Sequence, residues 1–183
     1  RVYLHLKKGY KEFKNQWLKN GTYKQVKRQQ YYIKIYDKGQ QYNQLENIMR
    51  IENKYTRTEK LKKIGVYSLL DLVKPNVHKH FIDWLLTTWN ECLVYDNTID
   101  LKQLSDLQKR RIKDFKEKNY WRDLSENRTY RNQLYNQVKY YKNIVQNHSD
   151  NRQKTIHDLI EKKWYELTNF SEDKIITKLV QID

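Results

Sequence analysis

The sequence predicts an α+β fold, with an antiparallel sheet in the N-terminal half followed by a largely helical C-terminal half. Period-two alternation recurs through the first 55 residues, and apolar residues at helical spacing dominate from Pro75 onward. With 4 Gly and 1 Pro, the chain lacks the turn material of a loop-dominated architecture.

The elements follow in order. Val2 to Leu6 alternates like a half-buried strand. Gly9 to Asn20 carries Tyr10, Phe13 and Trp17 at helical spacing, and Asn20-Gly21 stops it, so a helix is expected there. From Gln25 to Lys38 alternation returns, with Tyr31, Ile33 and Ile35 on one side and Tyr32, Lys34, Tyr36 and Lys38 on the other; Gly39 closes the strand. Ile48 to Tyr55 alternates again and sets Arg50, Glu52 and Lys54 on one face. These two runs are expected to be sheet neighbours, joined by a turn or a short helix.

A short helix over Thr58 to Ile64 ends at Gly65, and Ser68 caps Leu69 to Val73 with Asp71 at the third position. Pro75-Asn76 opens an amphipathic helix whose inner stripe is Val77, Phe81, Trp84, Leu85, Thr88 and Cys92. Leu101, Leu104, Leu107, Ile112 and Phe115 predict one or two more helices. Ser125 is read as the cap of a long helix with a buried stripe of Tyr130, Leu134, Val138, Tyr141 and Val145. Asn151 to Thr168 reads as the last helix. A soft boundary at Tyr95–Asp100 separates a sheet-containing region, 1–96, from a helical, nucleic-acid-contacting region, 97–183.

Charge narrows the function. The chain has 37 Lys and Arg against 22 Asp and Glu, a formal net charge of +15 over 183 residues. It has no alanine, and its bias to Lys, Asn, Ile and Tyr is that of an AT-rich coding sequence, which accounts for part of the excess. A surplus this large points to a polyanion, nucleic acid above all. One cysteine, Cys92, excludes a disulfide framework and any multi-cysteine metal site. No apolar run approaches the roughly 20 residues of a membrane span, so a cytoplasmic protein with no membrane partner is expected. The sequence has no glycine-rich phosphate loop and no nucleophile elbow, and no small-molecule cofactor is expected.

His78 and His80 fall near a helix start, where residues two apart diverge by about 200°, so they share no metal. His148 and His157 read as surface residues. The polar strand face is more informative. If the first strand joins the same sheet, His5 shares a face with Lys34, Tyr36, Lys38, Arg50, Glu52 and Lys54. An imidazole and a carboxylate would hold a divalent metal, Mg or Mn, beside cations that hold a phosphodiester. A tyrosine there or nearby would attack the phosphorus. A plain solvated sheet face is the alternative. Along the long helix, Arg128, Arg131, Tyr135, Lys139 and Lys142 lie roughly on one side, where cations meet phosphates and tyrosine stacks on bases.

The run Tyr31-Tyr32-Ile33-Lys34-Ile35-Tyr36-Asp37-Lys38-Gly39, then Met49-Arg50-Ile51-Glu52, then Leu61-Lys62-Lys63-Ile64-Gly65-Val66 and Leu69-Leu70-Asp71-Leu72, resembles the replication initiation proteins of filamentous-type phages and rolling-circle plasmids. The resemblance covers about Gln30 to Leu72 and lies in the order of the pieces. It implies single-stranded or origin DNA as partner and metal-assisted nicking and rejoining of one strand by a tyrosine that stays on the 5′ phosphate. It also makes Glu52 and His5 the metal candidates and gives Tyr36 and Lys38 positions in the active block. Tyr135 or Tyr140, near Lys142, is implied as the nucleophile, with Tyr95 a further option. Such proteins carry a metal-binding strand upstream of the block; only His5 fits here, so further residues before Arg1 are expected. The competing expectations are a non-catalytic basic nucleic-acid-binding protein and a phage or plasmid structural protein.

Overall fold

The structure is a computed structural model, which describes residues 1–7, 10–18, 21–43, 45, 48–147 and 150–168. Gly9, Asn20 and His148, each named in the sequence reading, lie outside the described residues. The fold is α+β as expected, with two antiparallel sheets formed from the first 94 residues and helices thereafter. Among the described residues no helix is long and apolar enough to cross a membrane.

Four strands, β3 (Lys14–Leu18), β4 (Gly21–Lys27), β5 (Tyr31–Asp37) and β6 (Met49–Tyr55), form one sheet in chain order. Where it is described, the expected helix at 9–20 is therefore extended chain, β2 (Lys11–Glu12) and then β3. Tyr10, Phe13 and Trp17 match a helical period by coincidence: Phe13 is fully buried while Trp17 is 85% exposed. The run read as one strand from Gln25 to Lys38 is a hairpin, turned at Arg28–Gln30, with the Arg28 amide donating to the Tyr31 carbonyl. Lys38 leaves the strand and opens α1 (Lys38–Gln41), capped by Asp37, whose carboxylate accepts from the Gln40 amide.

The first strand does not join that sheet. β1 (Val2–His5) sits between β2 and β7 (Cys92–Val94) in a separate three-stranded sheet. Cys92, expected on the inner stripe of the preceding helix, is a buried residue of β7, and burial pushes its thiol pKa up. α2 (Glu59–Lys62) ends near Gly65, which takes the left-handed conformation at φ +85°. A 3₁₀ turn over Leu69–Val73 leads into α3 (Pro75–Asn90).

The helical half holds α4 (Asp106–Lys116), α5 (Lys118–Glu126), α6 (Arg131–Gln146) and α7 (Arg152–Thr168). Ser125 lies inside α5 rather than capping the long helix. A 3₁₀ turn at Arg128–Tyr130, whose Thr129 amide bonds to the Asn127 side chain, leads into α6, and Tyr130 is 45% exposed instead of buried.

Two cores bind these parts. One joins Val26, Tyr31, Ile33 and Ile35 of the large sheet to Val2, Phe13, Trp89 and Cys92, with Ile156 and Ile160 of α7 against it. The other joins Tyr3, Leu4 and Leu93 to Ile112, Phe115, Trp121, Leu134 and Tyr141 of the helices. Both cores take residues from either side of the boundary read at Tyr95–Asp100, so the C-terminal helices pack on the sheet-bearing half. Phe115, fully buried, has the rings of Tyr120, Trp121, Tyr140 and Tyr141 around it at 5.1–6.2 Å. Phe115→Ala is expected to lower the unfolding free energy by about 3–5 kcal/mol, read as a shift in the urea midpoint at constant slope.

Candidate nucleic-acid interface

The β5–β6 register fixes the site. Tyr32 pairs with Lys54, Lys34 with Glu52, and Tyr36 with Arg50. Directly opposed residues share a face, so these six side chains line one side, while Tyr31, Ile33 and Ile35 are buried on the other. The hairpin with β4 adds Tyr23 opposite Tyr36, Gln25 opposite Lys34 and Lys27 opposite Tyr32; β3 adds Gln16 and Lys14. The outward face thus carries Lys14, Lys27, Lys34, Arg50 and Lys54, with Glu52 as its one carboxylate among the described residues.

Aromatic rings interleave with the cations. Lys34 Nζ lies 5.1 Å from the Tyr23 ring centroid, and Lys27 Nζ 5.6 Å from that of Tyr32. At the α1 end, Lys38 Nζ sits 4.1 Å from the Tyr42 ring and 6.0 Å from that of Tyr36. In the middle, the Tyr36 hydroxyl donates to Glu52 Oε1 at 2.7 Å, and Arg50 Nε lies 2.8 Å from the same oxygen. Partial burial, then the hydrogen bond and charge of Glu52, push the Tyr36 pKa up to about 12, so the phenol keeps its proton at neutral pH. Sequence reading named Lys34, Tyr36, Arg50, Glu52 and Lys54 but missed Tyr23 and Lys27. The sequence carries little sign of them: over Thr22 to Lys27 the apolar residues Tyr23 and Val26 are three apart, so no period-two pattern marks the strand.

His5 stands elsewhere. It is fully buried in the three-stranded sheet, and its Nδ1 accepts from Arg28 Nε at 2.9 Å. Arg28 also donates from Nη2 to the His5 carbonyl at 2.8 Å. That leaves the ring proton on Nε2, which lies 3.2 Å from Glu91 Oε2, short of good hydrogen-bond alignment. The expected His5–Glu52 metal pair is therefore not assembled: His5 ties β1 to the β4–β5 turn and to the end of α3. Among the described residues no three His, Cys, Asp or Glu side chains are grouped to hold a metal. One carboxylate, already shared by Tyr36 and Arg50, fits poorly a divalent ion that seeks about six oxygen ligands.

The remaining expected residues lie in the helical layer. Tyr135 is 56% exposed on α6, and Tyr140 is half-buried, its ring 6.2 Å from that of Phe115. Tyr135, Lys139 and Lys142 line a groove of about 480 Å³ together with Tyr10 and Asn143. Lys142 donates to the Asn90 carbonyl at 3.2 Å, and burial lowers its pKa. Arg128 and Arg131 are exposed. None of these helical residues is joined by a contact to Glu52. His78 Nε2 donates to the Leu72 carbonyl at 2.6 Å, and His157 Nδ1 lies 3.1 Å from Asn90 Oδ1.

The buried imidazole makes a separate prediction. Burial first, then the Arg28 and Lys7 charges, push the His5 pKa from 6.5 down to about 3. The unfolded chain therefore binds a proton at this site between about pH 6.5 and 3 that the folded chain refuses. Stability supplied by the neutral ring is present above pH 6.5 and falls on acidification toward pH 3, by up to roughly 1.4 kcal/mol per pH unit. Urea midpoints at pH 7, 5.5 and 4.5 check it. A His5 ring that titrates near 6.5 by NMR in the folded protein would refute it.

No protein-family model, curated protein or solved structure matches this chain, so the functional reading rests on its own residues.

Proposed function

We propose that the chain binds single-stranded DNA along the outward face of β4–β6 and nicks and rejoins that strand, as a replication initiator of the rolling-circle kind. One observation carries the reading: the Tyr36 hydroxyl held on the Glu52 carboxylate at 2.7 Å, inside a face of lysines, arginine and tyrosines. Cations take the phosphates without regard to sequence, and the tyrosine rings offer stacking surfaces for unpaired bases.

In the nicking step Tyr36 Oη forms a bond to phosphorus and the P–O3′ bond breaks. The 5′ phosphate stays on Tyr36, the phenol proton passes to Glu52, and the departing O3′ takes a proton from solvent. Rejoining is the reverse, with O3′ attacking the phosphotyrosine. The high phenol pKa is why a base is needed, and Glu52 is already hydrogen-bonded to that proton. Arg50 and Lys34, beside and opposite Glu52, offset the charge that gathers on the non-bridging oxygens. No step is routed through a metal. The poor fit of this face to a divalent metal favours the second reading, a binder without chemistry that uses the same face.

Incubation with labelled single-stranded DNA, with and without Mn²⁺, separates the two. An SDS-resistant adduct is expected that Tyr36→Phe abolishes and Glu52→Gln slows by about 10²–10⁴-fold, with DNA affinity retained in both. An adduct that survives Tyr36→Phe and maps to Tyr135 or Tyr140 would move the chemistry to α6. No adduct from the unmodified chain would leave the binder. For the binding face, Lys34→Ala with Lys54→Ala should flatten the log-affinity against log-salt slope by about 1.4, at about 0.7 per phosphate contact on a single strand. An unchanged slope would place the contact elsewhere.

A further inference from the structure

Four large apolar side chains stand nearly free in one short segment: Tyr67 is 76% exposed, Leu69 84%, Leu70 80% and Val73 73%. A soluble surface seldom leaves so many together without a use. The segment is also held in shape. Asp71 Oδ2 accepts from the Tyr67 amide at 2.8 Å, from the Ser68 amide at 2.7 Å and from Ser68 Oγ at 3.1 Å, while Oδ1 accepts from Lys74 Nζ at 2.6 Å. These bonds hold the Asp71 carboxyl well below the usual carboxylate range. Behind it, the Leu72 carbonyl meets His78 Nε2 at 2.6 Å, and Val66 is buried. The leucines are thus presented on a braced turn whose polar groups are satisfied from within.

The surroundings indicate what the turn meets. Between Arg57 and His80 there are six Lys or Arg and two carboxylates, one of them the bracing Asp71. Lys62 and Lys63 are exposed just before the turn and Lys74 just after it. A second copy of the same segment would bring like charges together, whereas a polyanion with an apolar interior matches both features. The turn also abuts the end of the large sheet, on the side opposite the outward face. Lys60 Nζ of α2 sits 4.1 Å from the Tyr31 ring and 4.8 Å from that of Trp84, and the Tyr55 ring lies 4.6 Å from Trp84. Tyr31 and Tyr55 are the end pair of the β5–β6 ladder, next to the Tyr32–Lys54 pair of the outward face.

We infer that Leu69 and Leu70 form a wedge that enters the base stack of duplex DNA at a junction, unpairing it so that one strand passes onto the β4–β6 face. The inference rests on the DNA-binding reading above. Apolar side chains driven between base steps unstack them, and flanking cations on the phosphates offset the cost. Tyr67, on the same turn, would stack on a base so released.

The test uses a forked duplex with 2-aminopurine at the junction, together with a single-stranded oligonucleotide of the unpaired arm. Binding of the unmodified chain should raise the junction fluorescence. Leu69→Ser with Leu70→Ser, both at exposed positions, should lower that opening by about tenfold while single-strand affinity stays within twofold. Leu69→Met with Leu70→Met should keep it. The wedge is overturned if the serine variant opens the fork as well as the parent. It is also overturned if the parent binds single strands yet leaves the junction stacked, or if only co-sedimentation with phosphatidylglycerol vesicles responds to the serines. Protection of the Leu69–Val73 amides from exchange in the free protein, rising with concentration, would assign the patch to a second copy. Failure of the parent to bind single strands at all would remove the sheet-face reading and the wedge together.

Discussion

The β5–β6 register is the constraint on which the molecule's surface chemistry depends. Side chains alternate with a period of two, so one residue of slip between Lys34 and Glu52 would send Tyr32, Lys34 and Tyr36 inward and Ile33 and Ile35 outward. The burial of Tyr31, Ile33 and Ile35 against Trp89 and Phe13 forbids that slip. Hydrophobic burial on one face thereby sets which cations meet on the other. Tyr36 reaches Glu52 diagonally across the two strands because that same pairing brings Arg50 opposite Tyr36.

A second joint keeps the two sheets together. Arg28, at the turn between β4 and β5, reaches the ring and carbonyl of His5 in β1, and His5 in turn faces Glu91 at the end of α3. Breaking such a buried set by removing one member leaves a charge or ring nitrogen without its partner, which costs more than the intact set contributes. The large sheet, the small sheet and α3 are consequently one body. The helices add to it through Tyr3 and Leu4, whose side chains lie in the helical core. A histidine that looked like a metal ligand in the sequence is a structural tie instead, held neutral by the burial that makes it useful.

What was legible in the sequence follows from how local each signal was. Tyr31–Asp37 and Met49–Tyr55 alternate cleanly over seven residues each, so their strands, their shared face and Glu52 among the cations were readable. Pro75–Asn90 and the Ser68–Asp71 cap were readable for the same reason, since caps and helical stripes are written within a few residues. β3 was not, because Tyr10, Phe13 and Trp17 fit a 3.6-residue period over a stretch too short to separate it from two. β7 is three residues long and follows directly on a 16-residue helix, so nothing local announces it. Without β7 and β2 there was no means of seeing that β1 pairs outside the large sheet, and His5 went with it. Tyr23 was lost by reading Asn20-Gly21 as the end of a helix, whereas Gly21 is the first residue of β4.

The position of Glu52 bears on whether the face binds or reacts. An exposed Arg–Glu pair such as Arg50–Glu52, with side chains 48% and 29% exposed, contributes at most about 1 kcal/mol to stability. The fold therefore gains little from that carboxylate. For holding a polyanion it is a drawback, since a negative charge in the middle of the face repels the phosphate that its neighbours attract. A glutamine there would keep the hydrogen bond to Tyr36 and spare the repulsion. A carboxylate is the better choice only where the hydroxyl must lose its proton as the phosphate arrives, because only the charged group can take that proton while the surrounding lysines hold the strand in place. On the proposed reading, the cations that hold the strand also offset the charge that gathers on the phosphate as Tyr36 attacks.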